Sequence, residues 1–166
     1  VQTSMSGGAL RSIGMGRYIA RPTTVGSDVT INVASNNDGR SRQMGKFTFH
    51  VRKLPDPAAY IQIGSDRFRG GSMPKASLMG TSGIKAAIDD GILDIQFRVT
   101  GFETVFFDNM GNAVPMASNG ANFTDRQRET FRKLSRGKRF YISRITAVGP
   151  DGITRKLNGA MEVIVK

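Results

Sequence analysis

The stretch that decides the fold reads ILDIQFRVTGFETVFF and occupies residues 92–107. It is rich in β-branched and aromatic side chains, which favour extended backbone. Gly101 interrupts the stretch, and an isolated glycine inside a strand marks a bulge or a bend. The stretch therefore predicts one long β-strand that bends at Gly101.

Shorter strands are predicted before it, in the first 43 residues. Alternating runs at residues 1–6, 16–20 and 28–34 are separated by glycines. A spacing of roughly ten residues between strands is typical of an immunoglobulin-like sandwich, but about seven strands are needed to complete one. Residues 1–43 therefore predict the C-terminal part of such a sandwich.

A second domain is predicted to begin near residue 43. The cluster at residues 35–39 favours a turn, and Phe47, Phe49 and Val51 then alternate with polar residues as in a strand. We therefore expect the C-terminal part of a sandwich in residues 1–43 and a β-rich domain in residues 44–166.

Two helical segments are predicted within this second domain. Pro74 is a helix-start signal, so residues 75–88 are expected to form one broken helix or two turns. A clearer helix is expected over 125–135, because Thr124 can act as its N-cap and Gln127 is at the capping-box position. The last strands are expected to flank a Gly-Pro-Asp-Gly turn, which gives a mostly β (α+β) class.

Composition excludes several kinds of protein. The 166 residues contain no cysteine, so no disulfide framework and no thiolate metal site can form. No run of about 18 apolar residues is present, which excludes a membrane helix within this segment. The chain starts at Val1 in a strand-like run, and we expect this start to be a cut inside a larger protein.

The charge is strongly basic and partly clustered. The chain has 24 Lys and Arg against 13 Asp and Glu, a formal net charge of +11, and such a balance attracts polyanions. Helical spacing turns Phe131 away from the cations, so they are expected to face outward without stacking aromatics. We call the cluster the basic strip, and it is either a candidate partner-binding face or, with equal weight, simply a solvated helix face: Arg126, Arg128, Arg132, Lys133, Arg136, Lys138 and Arg139.

No catalytic site is expected. His50 is the only histidine, and it has no neighbouring carboxylate or second histidine in the sequence. Asp89 and Asp90 are adjacent, so on a helix they could not share one site, and a helix-ending turn is expected there. No phosphate or dinucleotide loop is present, so we expect neither enzyme activity nor a cofactor or metal.

Two runs carry a resemblance to a known family. Residues 44–57, MGKFTFHVRKLPDP, resemble the C-terminal domain of the GldM and PorM proteins of gliding motility and type IX secretion. Residues 134–142 and 149–157 resemble the closing helix and hairpin of the same domain. The preceding residues, 1–43, are similar to the end of the immunoglobulin-like domain that comes before it.

The resemblance implies a homodimeric periplasmic rod, anchored in the inner membrane by a segment outside this chain. It implies GldL or PorL as the motor partner, and GldK and GldN, or PorK and PorN, as ring partners at the outer membrane. We therefore expect a structural, force-transmitting module that docks the motor onto the ring. A nucleic-acid-binding module using residues 126–139 is the alternative, and binding to an acidic peptidoglycan or lipid layer is a third possibility.

Overall fold

The computed structural model describes all residues, Val1–Lys166, and they form two compact units. Unit 1 is Val1–Leu54 and unit 2 is Pro55–Lys166. The division therefore lies at Leu54/Pro55 rather than near residue 43, because a single strand crosses residue 43 and pairs with the strand before it along its whole length. The mostly β class is confirmed, with 58% of residues in strands and 9% in helices.

Unit 1 consists of five strands in two small sheets. They are β1 (Gln2–Ser6), β2 (Gly8–Gly14), β3 (Arg17–Pro22), β4 (Asp28–Asn37) and β5 (Arg40–His50). One sheet has the order β1-β4-β5, and β2 and β3 form a separate hairpin. All pairings are antiparallel.

The interior of unit 1 is sparse. Val29 is its only buried residue, whereas Phe47 and Phe49 on the neighbouring strand are 54% and 53% exposed. Val29 pairs with Phe49, so the two side chains lie on the same face of the β1-β4-β5 sheet. That face is therefore only partly covered within the unit.

Unit 2 contains nine strands and two helices. They are β6 (Ala58–Ile63), β7 (Asp66–Phe68), β8 (Gly71–Met73), α1 (Lys75–Gly80), β9 (Lys85–Asp89), β10 (Asp94–Phe107), β11 (Ala113–Ser118), α2 (Asp125–Lys133), β12 (Arg139–Val148), β13 (Thr154–Lys156) and β14 (Met161–Val165). The sheet follows the order β7-β6-β9-β10-β12-β14-β8, with β11 on β10 and β13 on β12. Only β8 and β14 pair in parallel.

The predicted long strand is β10, and it organises the sheet of unit 2. Its first residues pair with β9, its last residues pair with β11, and β12 runs along its other edge. The register to β12 shifts on both sides of Gly101, which confirms the predicted irregularity. One of these shifts includes Arg144 of β12, which has a φ of 50°.

An aromatic cluster joins α2 to this sheet. Phe131 of α2 lies 4.9 Å from Phe123 and 5.1 Å from Phe140, measured between ring centroids. Phe106 of β10 lies 5.1 Å from Phe140. All four rings are buried, and such contacts add to the stabilisation from area burial alone. α2 is therefore held rigidly on one face of the sheet.

The second half of the helical prediction for residues 75–88 is wrong. α1 ends at Gly80, and residues 85–89 form β9 between β6 and β10. Ala86 and Ala87 are almost completely buried there, since both faces of the strand are covered. Three apolar residues in a row are compatible with a buried strand or a helix, and only the two neighbouring strands decide between them.

The beginning of α2 is as predicted, and its end is not. The Thr124 side chain accepts from the Gln127 N–H, and the Gln127 side chain accepts from the Thr124 N–H, which completes the capping box. The helix ends at Lys133. Gly137 has a φ of 83°, but it serves the turn that follows, where the Lys138 N–H donates to the Ser135 carbonyl oxygen.

Candidate interaction surface

The basic strip is divided among three places in unit 2. Arg126, Arg128, Arg132 and Lys133 lie on α2, and Arg139 is the first residue of β12. The remaining two cations lie in the turn that connects these elements. The strip therefore does not form one continuous helical face.

The helical cations are mostly engaged with their own domain. Arg132 forms a 2.8 Å ion pair with Glu129, and Lys133 lies 3.9 Å from the same carboxylate. Arg128 is half-buried and donates to the Ser82 carbonyl oxygen at 3.2 Å. Only Arg126 among them makes no ion pair and no side-chain hydrogen bond. Exposed pairs of this kind contribute little to stability.

A further lysine, outside the predicted strip, fastens the end of α2. The Lys75 ammonium group donates to the carbonyl oxygens of Arg132 and Leu134, at 2.6 Å and 2.9 Å. A cation at a helix C-terminus satisfies carbonyl groups that lack helical partners and interacts favourably with the helix dipole. Sequence reasoning missed this contact because the residues are far apart in the chain.

Two cations of the turn after α2 are free. Arg136 and Lys138 are exposed, and no carboxylate lies within ion-pair distance of either. The backbone that carries them is fixed, because the Gly137 N–H donates to the Val165 carbonyl oxygen and the Val165 N–H donates to that of Lys138. We call residues 135–138 the basic turn.

Arg139 lies on the reverse face of the sheet from α2. Its neighbour Phe140 points into the core that α2 covers, and adjacent residues of a strand point to opposite faces. Arg139 donates to the Glu162 carboxylate at 2.9 Å, and Tyr141 donates to the same group at 3.1 Å. Tyr141 is therefore hydrogen-bonded to a carboxylate, and the ring of the exposed Phe107 packs edge-on against it.

The basic turn and the start of unit 2 lie at opposite ends of the sheet. Arg155 pairs with Ala147 near the end of β12, and its guanidinium group donates to the Pro55 carbonyl oxygen at 2.8 Å. The basic turn comes just before the first residue of β12, Arg139. Ala147 is eight positions beyond Arg139, which corresponds to at most about 26 Å along a strand.

His50 does have a carboxylate partner, contrary to the sequence-based expectation. It is directly opposite Asp28 in the β4–β5 pairing, and its Nδ1 lies 2.7 Å from the Asp28 carboxylate. Both side chains are more than half exposed. The pair is cross-strand, and its partners are 22 positions apart in the chain, so the sequence did not reveal it. No third ligand joins it, and no group of three or more His, Cys, Asp or Glu is placed to hold a metal ion.

Asp89 and Asp90 end a strand rather than a helix. Asp89 accepts a 2.8 Å hydrogen bond from Arg67. The Asp90 carboxylate accepts from the Ile92 and Leu93 N–H groups, and these bonds hold the pKa of that carboxyl below its usual value, with Leu93 as the main cause. Both groups are therefore structural parts of the β9–β10 hairpin.

Arg155 is a buried, ion-paired arginine that sequence reasoning missed. Its side chain is only 4% exposed, is 2.6 Å from the Asp151 carboxylate and lies over the Phe97 ring at 5.3 Å. Its Nε has no hydrogen-bond partner. The sequence offers no signal for this burial, because Arg155 stands between two polar residues in a short strand.

Comparison with known families agrees with the division into units. A family model described as the GldM third domain matches residues 1–52, and one described as the GldM C-terminal domain matches residues 55–166. Residues 44–52 therefore belong with the third domain and not with the C-terminal domain. No curated protein sequence matches the chain significantly.

GldM is a structural component of secretion machinery, not a known enzyme family, and it is anchored in the inner membrane with a periplasmic C-terminal region. Neither helix of this chain has the length and apolar character needed to cross a bilayer. The two matches leave only Lys53 and Leu54 uncovered. The chain therefore belongs to the GldM family and is a component of the gliding-motility and type IX secretion machinery.

Proposed function

We propose that unit 2 is a docking module that transmits force from the inner-membrane motor to the outer-membrane-associated ring proteins. Its partners in this role are GldK and GldN, or PorK and PorN. The observation that carries the proposal is the pair of exposed, unpaired cations Arg136 and Lys138 on a backbone that β14 holds, at the end of the sheet away from Pro55. A load that enters at Pro55 then has to pass along the paired strands.

The basic turn is the part of the strip best suited to meet a partner. Arg136 and Lys138 are exposed and unpaired, so their charges are available without the loss of an internal ion pair. Their backbone is held by β14 through hydrogen bonds of 2.8 Å and 2.9 Å. A rigid support lowers the entropic cost of ordering a binding site. An acidic surface on a ring protein would complement this turn in charge.

The structure of the strip supports a protein partner over nucleic acid. Sequence-tolerant binding of single strands uses aromatic side chains beside basic residues. Phe131 is buried beneath α2, and Tyr141 shares the Glu162 carboxylate with Arg139 on the reverse face. A carboxylate at that position would repel phosphate.

We also propose that unit 1 is part of an immunoglobulin-like sandwich that stiffens the rod. Its two sheets face each other across a space of about 390 Å³ lined by Leu10 and Tyr18 from the hairpin and by Ile31 and Val33 from β4. Opposed antiparallel sheets with apolar inner faces are the architecture of that fold. The homodimer and the motor partner GldL or PorL belong to the same proposal and are supported by family membership alone.

Calorimetry against the purified ring proteins tests the docking proposal. Arg136→Glu combined with Lys138→Glu is expected to weaken binding by about tenfold or more, since two attractive charges become repulsive. The matched control is Arg98→Glu combined with Lys156→Glu, which makes the same charge change on exposed residues at the Pro55 end of the sheet. The control is expected to change the affinity by less than about twofold.

Three results would contradict the proposal. The first is that the unchanged chain binds neither of the ring proteins. Equal weakening by both double variants would assign binding to net charge instead of to the basic turn. Tight binding of duplex DNA that weakens steeply with salt, and that depends on Arg136 and Lys138, would favour the nucleic-acid alternative. A melting curve of each variant separates loss of folding from loss of binding.

A further inference from the structure

The outer face of the β2–β3 hairpin in unit 1 combines arginine with apolar side chains. Ala9 pairs with Arg21, and Arg11 pairs with Ile19, so these four side chains project from one face of the hairpin. All four are exposed. Ile19 remains 44% exposed although it is a large apolar residue. No acidic residue occurs in either strand.

The opposite face of the hairpin is the one that packs inside unit 1. Leu10 and Ala20 pair with each other and line the space shared with β4. Because adjacent residues of a strand point to opposite sides, Arg11 and Arg21 point away from that space. The arginine face is therefore an outer surface of the unit and not a part of its interior.

The arginines of this face have no internal partner. No carboxylate lies within ion-pair distance of Arg11, Arg17 or Arg21. Unit 1 offers almost none, since its only acidic residues are Asp28, which is paired with His50, and Asp38. The positive charge of the face is thus uncompensated within the unit.

The shape of the face is a shallow depression of about 250 Å³ lined by Ala9, Arg11, Ile19 and Arg21. The two guanidinium groups come from diagonal positions, and the two apolar side chains come from the other diagonal. A guanidinium group binds a carboxylate through two parallel hydrogen bonds, whereas the apolar positions can pack on the methylene groups of an acidic side chain. Carboxylates at alternate positions of an extended chain are about 6.6 Å apart along it, a spacing that suits diagonal arginines.

We propose that the outer face of the β2–β3 hairpin binds an acidic protein segment in extended conformation, with alternate carboxylates on Arg11 and Arg21. Charge complementarity and the alternation of the face select this occupant. The site is in unit 1, so it is separate from the basic turn and does not depend on docking through unit 2.

A peptide titration on the full chain tests the site. The probe is a fluorescein-labelled (Glu-Thr)₃ peptide, and the (Gln-Thr)₃ peptide is its neutral control. Arg11→Gln combined with Arg21→Gln is expected to weaken binding of the acidic probe by about fivefold or more. The matched variant is Arg40→Gln combined with Arg42→Gln, which removes two exposed, unpaired arginines from β5 of the same unit. It is expected to change the affinity by less than about twofold.

The position of the bound probe is read from backbone amide chemical shifts. The largest changes are expected at Ala9, Ile19 and their neighbours. The proposal is overturned if the probe does not bind, if both double variants weaken it equally, or if the shifts map outside the hairpin. It is equally overturned if phosphatidylglycerol-containing vesicles bind more tightly than the peptide and depend on Arg11 and Arg21, because the site would then recognise lipid phosphate.

Discussion

The guanidinium group of Arg155 donates a 2.8 Å hydrogen bond to the carbonyl oxygen of Pro55, one hundred residues earlier in the chain. The bond ties the first residue of unit 2 to β13. The same group reaches Asp151 at 2.6 Å and rests on Phe97. One buried side chain thus connects the entry of the chain, a turn and the central strand.

Replacing Arg155 is expected to destabilise unit 2. In Arg155→Met, the Pro55 carbonyl and the partly buried Asp151 carboxylate lose their donor, which should lower the free energy of unfolding by about 2–3 kcal/mol. Lys156→Met is the control, because its side chain is exposed on the adjacent position of the strand. Urea unfolding monitored by circular dichroism measures both. If both variants lower the free energy of unfolding by the same small amount, the Arg155 contacts stabilise unit 2 no more than those of an exposed lysine.

Gln127 is expected to be the most sensitive residue of α2 outside the aromatic cluster. Its side chain is completely buried, accepts from the Thr124 N–H at 2.8 Å and donates to the Met116 carbonyl oxygen at 2.9 Å. Gln127→Leu should cost about 2 kcal/mol, since it leaves the Thr124 N–H without this acceptor. Thr124→Ser keeps the capping hydroxyl and should be nearly neutral. Similar unfolding midpoints for the two variants would contradict the expectation.

At Arg144, replacement by glycine is expected to be tolerated better than replacement by alanine, because the backbone is left-handed there. Its φ of 50° is unfavourable for any residue with a Cβ, and its 3.7 Å contact with Glu103 is largely exposed on the arginine side. Arg144→Gly should therefore be more stable than Arg144→Ala by about 1 kcal/mol. Chemical denaturation of the two variants measures the difference directly. An alanine variant as stable as the glycine variant would mean that the bulge relaxes to negative φ.

Two hairpin turns are expected to weaken at acid pH. Backbone N–H groups, chiefly those of Leu93 and Asn112, hold the pKa values of Asp90 and Asp108 below the usual 3.8. A lowered pKa in the folded state means that the stabilisation is present above the ordinary pKa and is lost as the pH falls through the lower, folded value. Titration of the carboxyl ¹³C shifts should show that Asp90 and Asp108 have pKa values below the ordinary value for aspartate. Asp90→Asn should make the unfolding free energy less dependent on pH below the ordinary carboxyl pKa of 3.8, and an unchanged slope would contradict the assignment.

The sequence was a good guide where the signal is local. The capping box of Thr124 and Gln127 requires residues three positions apart, and it formed as predicted. The long strand over 92–107 was recognised because its residue types act on their own backbone. Residues 84–88 misled because a short apolar run suits a helix or a buried strand, and the deciding partners, β6 and β10, lie elsewhere in the chain.

The basic strip shows the same limit at the candidate site. Its seven cations could be named from the sequence, and their outward direction on α2 followed from helical spacing. Their grouping could not be predicted. The helix ends at Lys133, and Arg139 belongs to a strand that pairs with Ile164, so the cations lie on different faces of unit 2. Arg155 and Lys75 were missed because their partners are 100 and 57 residues away.

By itself, the sequence determined the class of structure, the basic charge, the absence of thiol chemistry and the family resemblance, since each depends on residue type or on near neighbours. The tertiary structure alone decided where the two units divide, which cations stay free, and that Arg155 fastens Pro55. These properties depend on contacts between distant segments, and such contacts form only when the sheet brings β12 and β13 beside the start of unit 2. A long strand within residues 92–107 was predictable, but its place between β9 and β12, with the Arg155–Pro55 contact at one end of the sheet and the basic turn at the other, was not.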